Sequence, residues 1–137
     1  MLFRSRYVLI ADEDVQRPVE AVPAFIWMVD ITDETRPVPV GSFQVEGIEG
    51  KGRQKIMTGC HQPCEKVTGT EIPFAWFAQG LRIIDVKNPH SPREVAHFVP
   101  DVPPGSERVS SNDVTIDDRG LIYLIDRLRG LTIVERV

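Results

Sequence analysis

The sequence predicts an all-β chain made of repeated antiparallel units, and three observations carry that reading. A run of β-branched and apolar residues closed by a polar, proline-bearing turn occurs twice in one register. A shortened third copy ends the sequence. No stretch shows helical periodicity with caps, whereas about ten short apolar runs bounded by turn residues read as strands.

The reference copy is GLRIIDVKNPHSPREVAHFV, residues 80–99. Leu81, Ile83 and Ile84 lead to Asp85, Asn88-Pro89 and Pro92 break the run, and Val95, Phe98 and Val99 resume it. At an offset of 55, Asp30, Ile31, Pro37, Val40 and Phe43 fall on Asp85, Val86, Pro92, Val95 and Phe98. At an offset of 50, residues 130–137 fall on 80–87, with Gly130 on Gly80. A period near 50 marks repeated supersecondary units.

Taken in order, residues 6–12 read as a short buried strand and 12–23, acidic and proline-bearing, as a loop. Residues 24–31 and 38–45 are the first copy of the strand pair. Residues 46–59 are glycine-rich and carry Lys51, Arg53 and Lys55; without a strand-to-helix context they form an exposed connection, not a phosphate site. An inner strand at 62–67, a strand at 72–78, a tight turn at Gln79-Gly80, a third strand at 81–86 and an outer one at 93–99 follow. Residues 100–111, with three prolines, are an extended connection. Residues 112–117 alternate in polarity, Asp118-Arg119-Gly120 closes a hairpin, and 121–125 is apolar on both faces.

Four antiparallel strands per unit, a period near 50 and strands apolar on both faces describe the blades of a β-propeller, in which each sheet lies between neighbours. A single sandwich could use as many strands but would not require the repeat. The expected organisation is a propeller segment of about 2.5 four-stranded antiparallel blades: partial blade 1–45, connection 46–59, full blade 60–99, connection 100–111 and partial blade 112–137.

The Gly-Leu-x-Ile-Ile-Asp-Val core and its Asn-Pro turn resemble the LVIVD-repeat β-propeller family, and DDRGLIYLIDRLRGLTIVERV is similar to the carboxy-terminal end of such proteins. The resemblance runs from about residue 24 onward. It implies a propeller and little about activity. A more distant likeness to the selenium-binding and methanethiol-oxidase propellers implies metal-linked oxidoreductase chemistry.

One whole blade and two incomplete ones leave open edges that invite pairing. The expectation is either a longer parent propeller that supplies the missing blades or self-association through those edges. At 137 residues and a net charge of −4 the chain holds one domain at most, lacks the basic face a nucleic-acid binder needs, and has no membrane span. A complete chain of this kind would be cytoplasmic, whereas a longer parent could carry an export signal.

The chemistry-bearing stretch is GCHQPCEK, residues 59–66, just before and on the inner strand of the full blade. At an offset of 51, His61 falls on Asn112, so polar residues at the starts of inner strands should converge on one channel mouth. The candidate ligand-binding set is His61, Gln62, Glu65, Asn112 and Asp113. Cys60, His61 and Cys64 are the donor types that zinc or copper takes. On an extended strand positions four apart lie about 13 Å apart, so both thiols meet one ion only if Gln62-Pro63 bends the chain. Buried free thiols and a disulfide are the alternatives. Asp30 and Asp85 should brace turns, His90 should be solvated, His97 should be a partly exposed sheet residue, and Trp27 and Trp76 should pack between blades. No nucleophile elbow, phosphate loop, HExxH, EF-hand loop or dinucleotide fingerprint is present. The leading functional expectation is a non-enzymatic binding scaffold whose recognition face is built from the connections 46–59 and 100–111. A copper- or zinc-dependent oxidoreductase is the rival.

Overall fold

The computed structural model describes residues 2–3, 6–13, 24–46 and 59–136. These form three antiparallel sheets and no helix, so none is long and apolar enough to cross a membrane. The first sheet runs β1 (Leu2–Phe3), β2 (Tyr7–Ala11), β3 (Ile26–Asp30) and β4 (Val38–Phe43). The middle sheet runs β5 (Gln62–Pro63), β6 (Glu71–Ala75), β7 (Leu81–Asp85) and β8 (Arg93–Phe98). The third holds β9 (Ser111–Ile116), β10 (Ile122–Asp126) and β11 (Gly130–Val134). Each strand pairs with its neighbour in sequence, so every sheet is a meander.

The repeat offsets reappear as hydrogen-bond register. Ile26 pairs with Phe43 and Asp30 with Val38; 55 residues on, Leu81 pairs with Phe98 and Asp85 with Arg93. The bulge repeats too, between Met28 and Val29 and again between Ile83 and Ile84, with Val40 and Val95 as the extra residues. Fifty residues beyond the Ala75–Leu81 pair stands Ile125–Leu131. Gly80 and Gly130 hold equivalent positive-φ positions at +74° and +89°. Gly41 does a different job: a Cβ there would stand 2.2 Å from the Pro89 carbonyl oxygen, so the first sheet approaches the turn of the middle sheet at backbone distance.

Alternation sorts the side chains into two cores. Leu9, Ile26 and Met28 of the first sheet meet Ile72, Phe74, Trp76, Ile84 and Val86 of the middle one. Odd-numbered neighbours on the same strands, Ala75, Leu81 and Ile83, face Val114, Ile122 and Leu124 of the third sheet. We call the face that a sheet turns to the next sheet its back and the opposite face its front. Every residue of β7 is buried because both its faces are covered, which is why its sequence shows no polar alternation.

Four expectations change. There are eleven strands among the described residues, because Leu2–Phe3 adds an inner strand to the first sheet; two residues are too few to carry a periodic signal. The inner strand expected at 62–67 stops at Pro63. Cys64 still donates to the Pro73 carbonyl at 2.8 Å, but Pro73 has no N–H to return the bond. The strand expected at 72–78 ends at Ala75, where Trp76–Gly80 turns back through Trp76 N–H to Gly80 O at 2.8 Å. Trp76 packs between sheets as expected, but Trp27 is 37% exposed on the front of the first sheet. Most of the loop at 12–23 and of the connection at 46–59, with Lys51, Arg53 and Lys55, lies outside the described residues.

The aspartates that end the third strands are clasps, as their sequence position suggested. Asp30 Oδ1 accepts from Thr32 N and Oγ1 and Asp30 Oδ2 from Arg6. Asp85 accepts from Lys87 N and Arg93. The Thr32 hydroxyl and amide, with Arg6, hold the Asp30 carboxyl at about 2, and the Lys87 amide heads the groups that lower Asp85. Burial pushes Asp117 up, but Arg119, the Leu121 amide and Tyr123 outweigh it and bring it to about 2. A depressed carboxyl binds fewer protons in the folded than in the unfolded state, so its stabilisation is full above about pH 4 and is lost toward pH 2. The melting temperature should therefore fall steeply over that window, and Asp117→Asn should flatten the fall. A melting temperature independent of pH between 4 and 2 would contradict the clasp assignment.

Candidate functional site

The site is organised by the Trp76–Gly80 turn. Phe77 within it has φ +35°, outside the usual range for a side-chain-bearing residue, and is fully buried. Its carbonyl accepts from Gly80 N at 3.2 Å and from Ser111 N at 2.9 Å, which ties the middle sheet to the start of β9. The Phe77 ring takes the His61 imidazole edge-on at 4.7 Å and 74°, and the Arg127 guanidinium lies over it at 5.4 Å. Arg127 Nε in turn donates to Asn112 Oδ1.

His61, which its offset of 51 pairs with Asn112, thus meets the Phe77 ring directly, whereas Asn112 reaches it only through Arg127. The register supports the offset: Gln62 pairs with Ala75, and Asp113 with Ile125. His61 Nε2 lies 3.1 Å from Glu13 Oε1 of the first sheet's side, and its Nδ1 is buried with no hydrogen-bond partner among the described residues. With Nε2 donating to the carboxylate, the neutral ring keeps Nδ1 as an acceptor. His61, Gln62 and Glu65 also line a cleft of about 710 Å³ whose other wall is Leu9, Ile10 and Ala11.

Asp113 stands apart: it is exposed and its Oδ1 accepts from the next backbone amide, Val114, at 2.8 Å. The two cysteines are separated. Cys60 belongs to the core between the first and middle sheets, Cys64 to the core between the middle and third, and both are free and fully buried. Burial, with Asp12 nearby, pushes the Cys60 thiol far up, so it stays protonated. Among the described residues no group of three or more His, Cys, Asp or Glu side chains could hold a metal ion. His90 and His97 are solvent-exposed, the latter 2.8 Å from Glu94 through Nδ1.

Phe77, Arg127 and Glu13 are the members that sequence reading passed over. A signal for two of them existed: Arg127 occupies the Phe77 position at an offset of 50, each three residues before a positive-φ glycine. Asp126, beside Arg127, fixes that turn; its carboxylate, 3% exposed, accepts from Ser110 N at 2.6 Å, Leu128 N at 2.8 Å, Arg129 N at 3.0 Å and Ser111 Oγ at 3.2 Å. Set against known proteins, the chain matches no protein-family model and no curated protein.

Proposed function

We propose that the chain is a segment of a β-propeller of the LVIVD-repeat type, that its sheets are blades, and that it works as a binding scaffold, not an enzyme. Its ligand sits where inner strands of adjacent blades begin, between the His61 cleft and the Arg127–Asn112 pair, flanked by the connection 100–111. The observation behind this reading is that His61 and Arg127 meet on one buried ring, and that Arg127 is held by Asn112, the repeat equivalent of His61. A guanidinium, an imidazole and an apolar wall suit recognition of a small polar ligand. Cys60, next to His61 in sequence, is held protonated in the core and offers no nucleophile. Two thiols directed to opposite sides of one sheet give the copper or zinc oxidoreductase reading no support.

A thermal-shift screen of small polar compounds, run on wild type and Arg127→Ala after metal-free purification, tests this. Hits should stabilise the wild type and lose their effect in the variant, whose far-ultraviolet spectrum stays unchanged. Equal stabilisation of both proteins, or near-stoichiometric copper or zinc retained through purification, would sink the reading.

A further inference from the structure

The outer faces of the three-sheet stack are related by the repeat. Ala75, Leu81 and Ile83, on the back of the middle sheet, are 0%, 1% and 6% exposed beneath the third sheet. At an offset of 50 they become Ile125, Leu131 and Ile133 on the back of the third sheet, 50%, 59% and 56% exposed. Ile125 stands opposite Leu131 and Tyr123 opposite Ile133, so this is one contiguous apolar patch and not scattered residues.

The other end is complementary. Register places Ile10 of the first sheet where the middle sheet has Phe74, since Tyr7–Asp30 and Glu71–Asp85 are equivalent pairs. Phe74 is fully buried against the back of the first sheet, whereas Ile10 is 44% exposed, with Trp27 directly opposite it at 37%. One end of the stack therefore presents a back without a following front, and the other a front without a preceding back.

We propose that two copies of this chain associate head to tail, the back of each third sheet covering the front of the other copy's first sheet, to close a ring of six sheets. A second copy is the occupant because the contact continues an interface the chain already builds twice, back onto front. In the second of these, Leu81 and Ile83 meet Ile122 and Leu124, while Lys66 with Asp118 and Glu71 with Arg136 pair across the rim. Back-onto-front contact is heterologous: it forms rings when the rotation closes, and six blades fall within the usual four to eight. The proposal rests on reading the sheets as blades, but not on the ligand site.

Sedimentation equilibrium of the full chain over micromolar to submillimolar concentrations should give twice the 15.4 kDa chain mass. Ile133→Glu, on the back, and Ile10→Glu, on the front, should each give folded monomers by far-ultraviolet circular dichroism. Mixing the two should restore dimer, because one intact back and one intact front remain. A wild type that stays monomeric overturns the proposal. So does a mixture that fails to dimerise, or an Ile10→Glu variant that dimerises as the wild type does, since a symmetric back-to-back contact would behave that way. Ile133 lies outside the lining of the His61 cleft, so loss of dimer in Ile133→Glu with ligand shifts intact would leave the binding site standing, and the two readings fail separately.

Discussion

Replacing Trp76 with alanine should lower folding stability by about 3–5 kcal/mol, the cost of emptying a large aromatic site in a packed core. Trp76 is fully buried between the first and middle sheets, 5.9 Å edge-on from Phe43 and 6.1 Å from Phe74. Its Nε1 is buried with no hydrogen-bond partner among the described residues, so Trp76→Phe removes that donor along with the volume and should cost less than half as much. Urea unfolding measures both, read as a midpoint shift at constant slope. A shift in slope for Trp76→Ala would mean that the two sheets unfold separately. An alanine variant within about 1 kcal/mol of wild type would mean that they do not share a core.

Asp126→Ala should cost about 3 kcal/mol or more, because it strands two buried donors and two turn amides at once. The four bonds join the end of β10 to Ser110, Ser111, Leu128 and Arg129, so the loss is also a loss of the turn that carries Arg127. Asp126→Asn keeps the shape but turns an amide N–H₂ toward N–H donors, and should recover only part of the loss. Thermal melting reads the stability, and the Arg127-dependent thermal shift reads the turn. If Asp126→Ala melts like wild type, the carboxylate is not the anchor of this connection.

Much of the fold was legible because it repeats. One register of five matching residues, Asp30 to Phe43 on Asp85 to Phe98, is enough to place β3, β4, β7 and β8, whereas the bulge they share is seen only in the structure. Burial was less legible because it depends on neighbours beyond the strand. Trp27 within β3 and Trp76 just past β6 are the same residue type in similar apolar runs, yet Trp76 is covered by an adjacent sheet and Trp27 is not. The site was half legible. The inner-strand offset of 51 pairs His61 with Asn112, but the link between them runs through Phe77 and Arg127, which share a turn position at an offset of 50 yet have no chemical likeness to mark it. The fate of the cysteines was not legible: strand alternation would put residues four apart on one face, but the regular strand covers only Gln62–Pro63 and Cys60 and Cys64 lie in opposite cores.

The hairpin between the second and third strands differs in length from sheet to sheet. Fourteen residues separate Ala11 from Ile26 in the first sheet, and five separate Ala75 from Leu81 in the middle one. The strands on either side pair over five residues in both sheets, and in both the third strand ends in an aspartate clasp. The surplus length is therefore free to vary, and its first residues bring Glu13 to His61 across the gap between sheets. A change of length or charge in this one connection would therefore alter the group that faces His61, with the core left as it is.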